Sequence, residues 1–226
     1  MEIIIKGKSK NTVKNYKSTL RKFVRITGKE IEEANIEDVN KFLEKLKEEM
    51  ESSSVARHAY ALKYFLRMAG KYDAANKMEI DYVQKLPRVL STKEIERLIK
   101  AIESLEEHIV FGLGYFLGMK ASEIADIKIN DIDFRHRIRV RKRLLQIPSH
   151  VIESLKMWIE ENGSIIHLFE ENGRKVLPEH ISSIFRKLAK RAGVNAPFHS
   201  LRNTRIYEMI KEGKSAKEIM KFAGFK

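Results

Sequence analysis

The chain has 226 residues, 43% of them hydrophobic, which is enough to bury the core of one large domain or of two small ones. It contains no cysteine, which excludes disulfides and thiolate zinc sites and favours a cytoplasmic location, and neither a membrane-spanning apolar run nor a secretory signal is evident. The net charge of +13 favours a polyanionic partner, DNA or RNA before an anionic membrane surface.

The first 80 residues predict a bundle of helices after a short basic arm of about ten residues. Apolar residues recur at helical spacing from Asn11 to Gly28, from Asn35 to Met50 and from Ser52 to Gly70, and a shorter helix is predicted from Tyr72 to Met78. Each of these helices has one apolar face, so we expect them to pack as a compact bundle.

The outward faces of this bundle carry an excess of positive charge. Any one of these residues is most simply a solvated side chain, but a set of one sign can contact the phosphates of a duplex without reading its sequence. The predicted DNA-binding residues of the bundle are Lys10, Lys14, Lys17, Arg21, Arg57, Lys63 and Arg67.

The helical pattern breaks over residues 81–90, where Pro87 disfavours the α conformation in the residue before it. We therefore expect a linker over residues 81–90, between a first domain at residues 1–80 and a second at residues 91–226. The second domain opens on a capping box, Ser91 to Glu94, and its apolar run Ile109–Leu117 predicts a helix at the centre of the core.

Apolar and basic residues alternate from Ile132 to Val140, which predicts a strand with one cationic face. A second arm at Leu144–Ile147 would complete a hairpin, with Arg141, Lys142 and Arg143 at its tip. Such a tip is shaped to enter a DNA groove, although turns are often basic only because they are solvated. The predicted DNA-binding residues here are Arg139, Arg141 and Arg143.

The remaining pattern predicts three further helices. The first two, with apolar residues over 151–159 and 181–192, flank a loop at Glu170–Lys175. A second capping box, Ser215 to Glu218, predicts a last helix that ends near Gly224.

His199 and Arg202 stand three residues apart at the start of another predicted helix, which runs towards Gly213. At this spacing they share one face of the helix and can meet the same ligand group. The spacing is common in helices, however, so two solvated side chains are the simpler interpretation when the pair is considered alone.

The order of these motifs resembles that of the tyrosine recombinases, the phage-type integrases and Xer-type proteins, from about Ser9 to Phe225. Gly118–Ile124 is similar to the family's Gly-Leu-Arg-x-x-Glu-Leu segment, and His199 with Arg202 to its His-x-x-Arg. The resemblance implies a mainly α fold with a small β-sheet. It comprises an N-terminal helical bundle of the core-binding, SAM-like type and an α+β domain of the recombinase catalytic type.

By resemblance, such a domain attacks a DNA phosphodiester with a tyrosine, holds a 3′-phosphotyrosyl intermediate and needs no metal or other cofactor. Fixed guanidinium and imidazole donors would stabilise the charge that spreads over the phosphate oxygens in the transition state. The implied catalytic residues are Lys120, Lys142 (the match to the family's hairpin lysine), His199 and Arg202, with Glu123 in support. The implied partner is double-stranded DNA, closed in a clamp of two domains, and the protein could form a homo-oligomer on it.

The sequence departs from the family pattern at three places. Lys120 stands where the family has an arginine, so the positive charge remains but the bidentate fork is lost. Phe225 stands where the family has histidine or tryptophan, and it cannot donate a hydrogen bond. The family's nucleophilic tyrosine lies shortly past that point, whereas the sequence as given ends at Lys226 and none of its seven tyrosines takes that place in order.

Three explanations remain open: a remnant that binds DNA without cutting it, a chain whose nucleophile is encoded further on, or a tyrosine supplied by another polypeptide. We favour the first two together, because truncation produces neither Lys120 nor Phe225. The predicted function is a DNA-binding protein of the site-specific recombinase or integrase type, with strand transfer impaired or absent in the chain as given. The alternatives are an active integrase whose tyrosine comes in trans or was removed, and a basic helical nucleic-acid-binding protein without recombinase function.

Overall fold

The computed structural model describes residues 10–80 and 86–225, and the chain divides into two compact units, Met1–Leu86 and Pro87–Lys226. The expected N-terminal arm and the stretch 81–85 of the expected linker lie outside the described residues. The fold is mainly helical with small antiparallel sheets, as the sequence predicted.

Over the described residues 10–80 the first unit is a bundle of four helices, and its core confirms the predicted apolar faces. The helices are α1 (Lys10–Thr27), α2 (Ile36–Glu49), α3 (Ser52–Met68) and α4 (Tyr72–Lys77). Asn35 and Asp38 cap α2 reciprocally, each side chain accepting from the other residue's backbone N–H. In the core, Phe23 meets Phe42 edge-on at 5.4 Å between ring centroids, a favourable aromatic geometry.

The second unit surrounds one central helix. Within residues 86–225 the helices are α5 (Thr92–Lys100), α6 (Leu105–Tyr115), α7 (Ala121–Ala125), α8 (Ser149–Asn162), α9 (Pro178–Arg191), α10 (His199–Lys211) and α11 (Ala216–Ala223). The predicted apolar run becomes α6, which packs against α8, α9 and α10 and is buried nearly all round. None of the helices in the described ranges is long and apolar enough to cross a membrane.

The predicted single strand at Ile132–Val140 is wrong, because the chain turns at His136, where φ is +70°. Three short strands result, paired antiparallel in the order β1-β2-β3: β1 (Ile132–Asp133), β2 (Arg137–Val140) and β3 (Arg143–Gln146). Arg141 and Lys142 alone form the hairpin tip, so the predicted position of Arg143 at the tip is also wrong. Arg143 pairs with the buried Val140, and directly opposed residues point to the same face, so Arg143 is buried as well.

The predicted loop at Glu170–Lys175 is instead a second small hairpin, β4 (Glu170–Glu171) and β5 (Arg174–Lys175). Its two-residue turn is Asn172-Gly173, with φ of +52° and +70°. Asn-Gly is the pair of residues that tolerates this turn best, so the sequence did carry the signal.

A buried histidine gives the first unit a pH dependence. Thr19 donates its hydroxyl hydrogen to the Asn15 carbonyl, so His58 Nδ1, 2.8 Å from the Thr19 oxygen, is the donor to it. Burial lowers the pKa of His58 from its ordinary 6.5, and the nearby Lys22 and Arg57 lower it further. His58 therefore stays neutral in the folded bundle at a pH where an unfolded chain takes up a proton.

We predict that the stabilisation from a neutral His58 is complete above about pH 6.5 and is lost as the pH falls below it, because the unfolded state then binds a proton that the folded state resists. His58→Asn keeps a polar group near Thr19 and removes the titration. The drop in Tm between pH 7.5 and pH 5.5 should be smaller in this variant than in the wild type. An equal drop in both proteins would contradict the prediction. The lowered pKa of His108, caused by burial and by His150, affects both proteins equally.

Candidate active site

The turn between α6 and α7 creates the first wall of the site. Gly118 lies just past α6 with φ +59°, and an added Cβ would lie 2.7 Å from the Phe222 ring, so glycine is required on both counts. The Gly118 carbonyl accepts a hydrogen bond from the Arg202 guanidinium. Met119 is fully buried next to it, which leaves the following residue, Lys120, exposed at the start of α7.

Glu123 forms the buried ionic centre of the site. Its carboxylate, in a residue only 6% exposed, accepts the Lys120 backbone N–H at 3.0 Å. Arg143 Nη2 lies 2.7 Å from Glu123 Oε2, an ion-pair distance at an angle too bent for a hydrogen bond, and Arg202 Nη1 lies 4.0 Å away. One carboxylate thus ties together α7, β3 and α10.

The C-terminal end of α11 holds the same two arginines. Arg143 donates to the Phe222 carbonyl at 2.7 Å, and Arg202 donates to the Ala223 carbonyl. Carbonyls at a helix C-terminus lack partners within the helix and form its negative end, so guanidinium groups are favourable there. The Phe225 ring packs over Arg202, with 5.4 Å between its centroid and Cζ.

Arg202 is buried and rigidly oriented. Burial lowers the pKa of its guanidinium, Glu123 acts to raise it and Arg143 to lower it. An arginine nevertheless keeps its proton at any pH at which the protein is folded. Its two named hydrogen bonds use part of its five N–H donors, and the side chain also lines an open pocket.

This pocket, of about 420 Å³, collects positive charge from three elements. Lys120 precedes α7, Arg186 lies on α9, and His199 and Arg202 lie in the first turn of α10. Neither aspartate nor glutamate lines it among the residues that the structure describes. A concave site with several cations and no acid is suited to an anion.

Lys142 occupies a different position. It is exposed at the hairpin tip and lines a neighbouring cavity of about 620 Å³, together with Arg143 and Phe222. Of the residues predicted as catalytic, the structure brings Lys120, His199 and Arg202 to one pocket with Glu123 behind them, and it leaves Lys142 on the adjoining cavity. The two regions are linked because Arg143, next to Lys142 in the chain, shares Glu123 with Arg202.

The residues predicted to bind DNA are mostly at the surface. The exposed ones are Lys14, Lys17, Arg21, Arg57, Arg67, Arg139 and Arg141. Lys63 is half-buried, and the side chain of Lys10 lies outside the described residues. Arg143 differs, since it is 8% exposed and paired with Glu123. Their DNA-binding roles remain predictions.

Sequence reasoning missed Arg186 as a pocket residue and the buried position of Arg143. The only signal for Arg186 is its spacing of four from Ser182 on an amphipathic helix, which predicts a shared face but not what that face contacts.

Comparisons with known proteins identify the family. A sequence model described as Phage integrase family matches residues 88–226, more than half of the chain, and one described as Phage integrase, N-terminal SAM-like domain, matches residues 1–76. The chain belongs to the phage integrase family of tyrosine recombinases. Its similarity to the tyrosine recombinase XerA of Thermococcus onnurineus (strain NA1) is 25% identity over 236 residues, covering 97% of this chain and 82% of that protein.

Two solved integrase structures share the fold of this family member. The Tn1549 transposon integrase in complex with circular intermediate DNA superposes with a TM-score of 0.78 at 16% identity, over 97% of this chain and 87% of that one. A lambda integrase dimer bound to a COC′ core site superposes with a TM-score of 0.76 at 18% identity, over 98% of this chain and 87% of that one.

The Glu123–Arg143 pair should dominate the stability of the second unit. Arg143→Met leaves Glu123 buried with a more distant partner, and we predict a loss of about 3 kcal/mol in the free energy of unfolding. Arg139→Met is the matched control, because Arg139 is exposed on the neighbouring strand, and it should change stability by less than about 0.5 kcal/mol.

Urea unfolding followed by the fluorescence of Trp158, the single tryptophan, which lies in the second unit, measures this effect. Adding Glu123→Gln to Arg143→Met should recover part of the loss, since the buried charge is then removed. Equal stability of the two arginine variants would contradict the buried pairing.

Proposed function

We propose that the pocket binds one phosphate of duplex DNA and that the protein acts in DNA integration or site-specific recombination. The observation that carries this proposal is the convergence of Lys120, His199 and Arg202 on one pocket without a carboxylate among its described lining residues. Membership of the phage integrase family supports it.

The chemistry of the pocket follows from how its donors are held. Arg202 is fixed by the Gly118 and Ala223 carbonyls, so its remaining N–H groups need no reorganisation when a phosphate oxygen arrives. His199 can donate from its ring, and Lys120 supplies a point charge. Lys142, exposed at the hairpin tip, is the proposed acid that protonates the leaving oxygen.

Duplex DNA is the proposed partner. The Tn1549 transposon integrase and lambda integrase structures compared above are complexes with DNA, the second of them a dimer on its core site. The net charge of +13 and the exposed cations of α1, which include Lys14, Lys17 and Arg21 at spacings of three and four residues, favour contacts to a phosphate backbone. We propose that more than one copy assembles on the DNA.

The division of labour follows the predicted domains. Residues 1–80 are the proposed core-binding domain, 81–90 the linker and 91–226 the catalytic-type domain, and the family models matched at residues 1–76 and 88–226 support a division of this kind. The lack of cysteine supports a cytoplasmic location, where DNA is available.

Strand cleavage is proposed to be impaired or absent in the chain as given. Lys120 offers one point of attachment where a guanidinium would offer two, which weakens the hold on a transition-state phosphate. Among the described residues no tyrosine lines the pocket. The nucleophile is therefore proposed to come from outside these residues or from another polypeptide.

Removing one charge at the pocket tests the phosphate site. Duplex binding should weaken steeply with salt, and Lys120→Gln should weaken it by about three- to tenfold and lower the slope of log Kd against log salt by about 0.9, as expected for one lost phosphate contact. Lys156→Gln, an exposed lysine on α8, removes the same charge away from the pocket and should change both values little. Fluorescence anisotropy with a labelled duplex measures both.

Equal effects of Lys120→Gln and Lys156→Gln would contradict the pocket assignment. They would favour a basic nucleic-acid-binding protein that holds DNA by its overall charge.

A further inference from the structure

The helix α9 forms one wall of the pocket and carries Arg186, which is not among the residues predicted to be catalytic. We propose that Arg186 is a second phosphate-binding guanidinium, which supplies the two-point contact that Lys120 cannot make. This inference rests on the proposed function, since it concerns the same phosphate pocket.

Packing fixes Arg186 beside the start of α10. Ser182, Phe185 and Arg186 of α9 all line the pocket. Phe185 is 1% exposed and meets the Phe198 ring edge-on, with 5.6 Å between centroids. Because Phe198 directly precedes His199 in the chain, this contact brings the α9 face and the His199 turn to the same pocket.

The guanidinium of Arg186 is available to a ligand. It is exposed and has neither a hydrogen bond nor an ion pair with any residue in the described ranges. Arg191 on the same helix is engaged structurally, with Glu107 and the Ala101 carbonyl. Arg186 lines the same pocket as Lys120 and Arg202, so an anion bound there would offset the repulsion among their like charges.

The other cations of the pocket do not duplicate this role. Arg202 already donates hydrogen bonds to two backbone carbonyls, and Lys120 offers a point charge and not a planar pair of donors. Arg186 donates none of its five N–H groups to a residue in the described ranges, and its planar guanidinium matches two phosphate oxygens. Its expected contribution is to bind and orient the phosphate.

Titration of the full chain with inorganic phosphate, followed by the NMR signals of the His199 ring, tests the inference. We expect Arg186→Gln to weaken phosphate binding by about three- to tenfold, the loss of one charge-assisted contact at a partly exposed site. Lys187→Gln, which removes the neighbouring exposed charge outside the pocket, should change it by less than about twofold. Both substitutions are on the surface, and unchanged Tm values verify that the variants are folded.

Two further variants test whether Arg186 makes a two-point contact with the phosphate. Arg186→Lys keeps the charge and should recover less than half of the lost affinity on a logarithmic scale, because one point of contact replaces two. Lys120→Arg placed in the Arg186→Gln background restores a second guanidinium to the pocket and should bring binding back to within about twofold of the wild type.

The outcomes separate the two proposals. If phosphate fails to shift the His199 signals of the wild type, the phosphate pocket itself is contradicted. If the wild type responds but Arg186→Gln and Lys187→Gln behave alike, only the role of Arg186 is overturned. The two-point contact is overturned if Arg186→Lys binds phosphate with wild-type affinity. It is also overturned if Lys120→Arg restores no binding in the Arg186→Gln background.

Discussion

A single buried carboxylate holds the site together. Glu123 engages the start of α7 through the Lys120 N–H, β3 through Arg143, and α10 through Arg202 at a longer distance. A charge this well buried is tolerated only with close partners, so the three elements must keep their relative positions for the unit to be stable. Stability and the geometry of the pocket therefore depend on the same contact.

Helix ends provide the rest of the scaffold. The carbonyls of Gly118, Phe222 and Ala223 lie at or just beyond the ends of α6 and α11, where backbone acceptors lack partners, and the two buried arginines satisfy them. This arrangement orients Arg202 and uses some of its donors. The exposed cations of the pocket remain accessible to a ligand. The site therefore has a rigid buried layer of side chains and an accessible layer that can bind the ligand.

Features with local signals could be predicted from the sequence. The caps at Ser91 and Ser215, the buried run of α6 and the one-face spacing of His199 and Arg202 each depend on residues a few positions apart. The buried position of Arg143 could not be predicted in this way, because it depends on the register of the hairpin. A shift of one residue in that register decides whether a side chain lies at the tip or in the core. The place of Arg186 at the pocket could not be predicted either, because it comes from the packing of α9 against α7 and of Phe185 against Phe198, which no local pattern encodes.

The central claim is that one phosphate-sized anion binds among Lys120, His199 and Arg202. Crystals of the chain soaked in sodium tungstate, a tetrahedral oxyanion with a strong anomalous signal, test it directly. We expect an anomalous peak within hydrogen-bond reach of these three side chains, with lower occupancy in Lys120→Gln. Peaks confined to other basic surfaces, with the pocket empty, would contradict it.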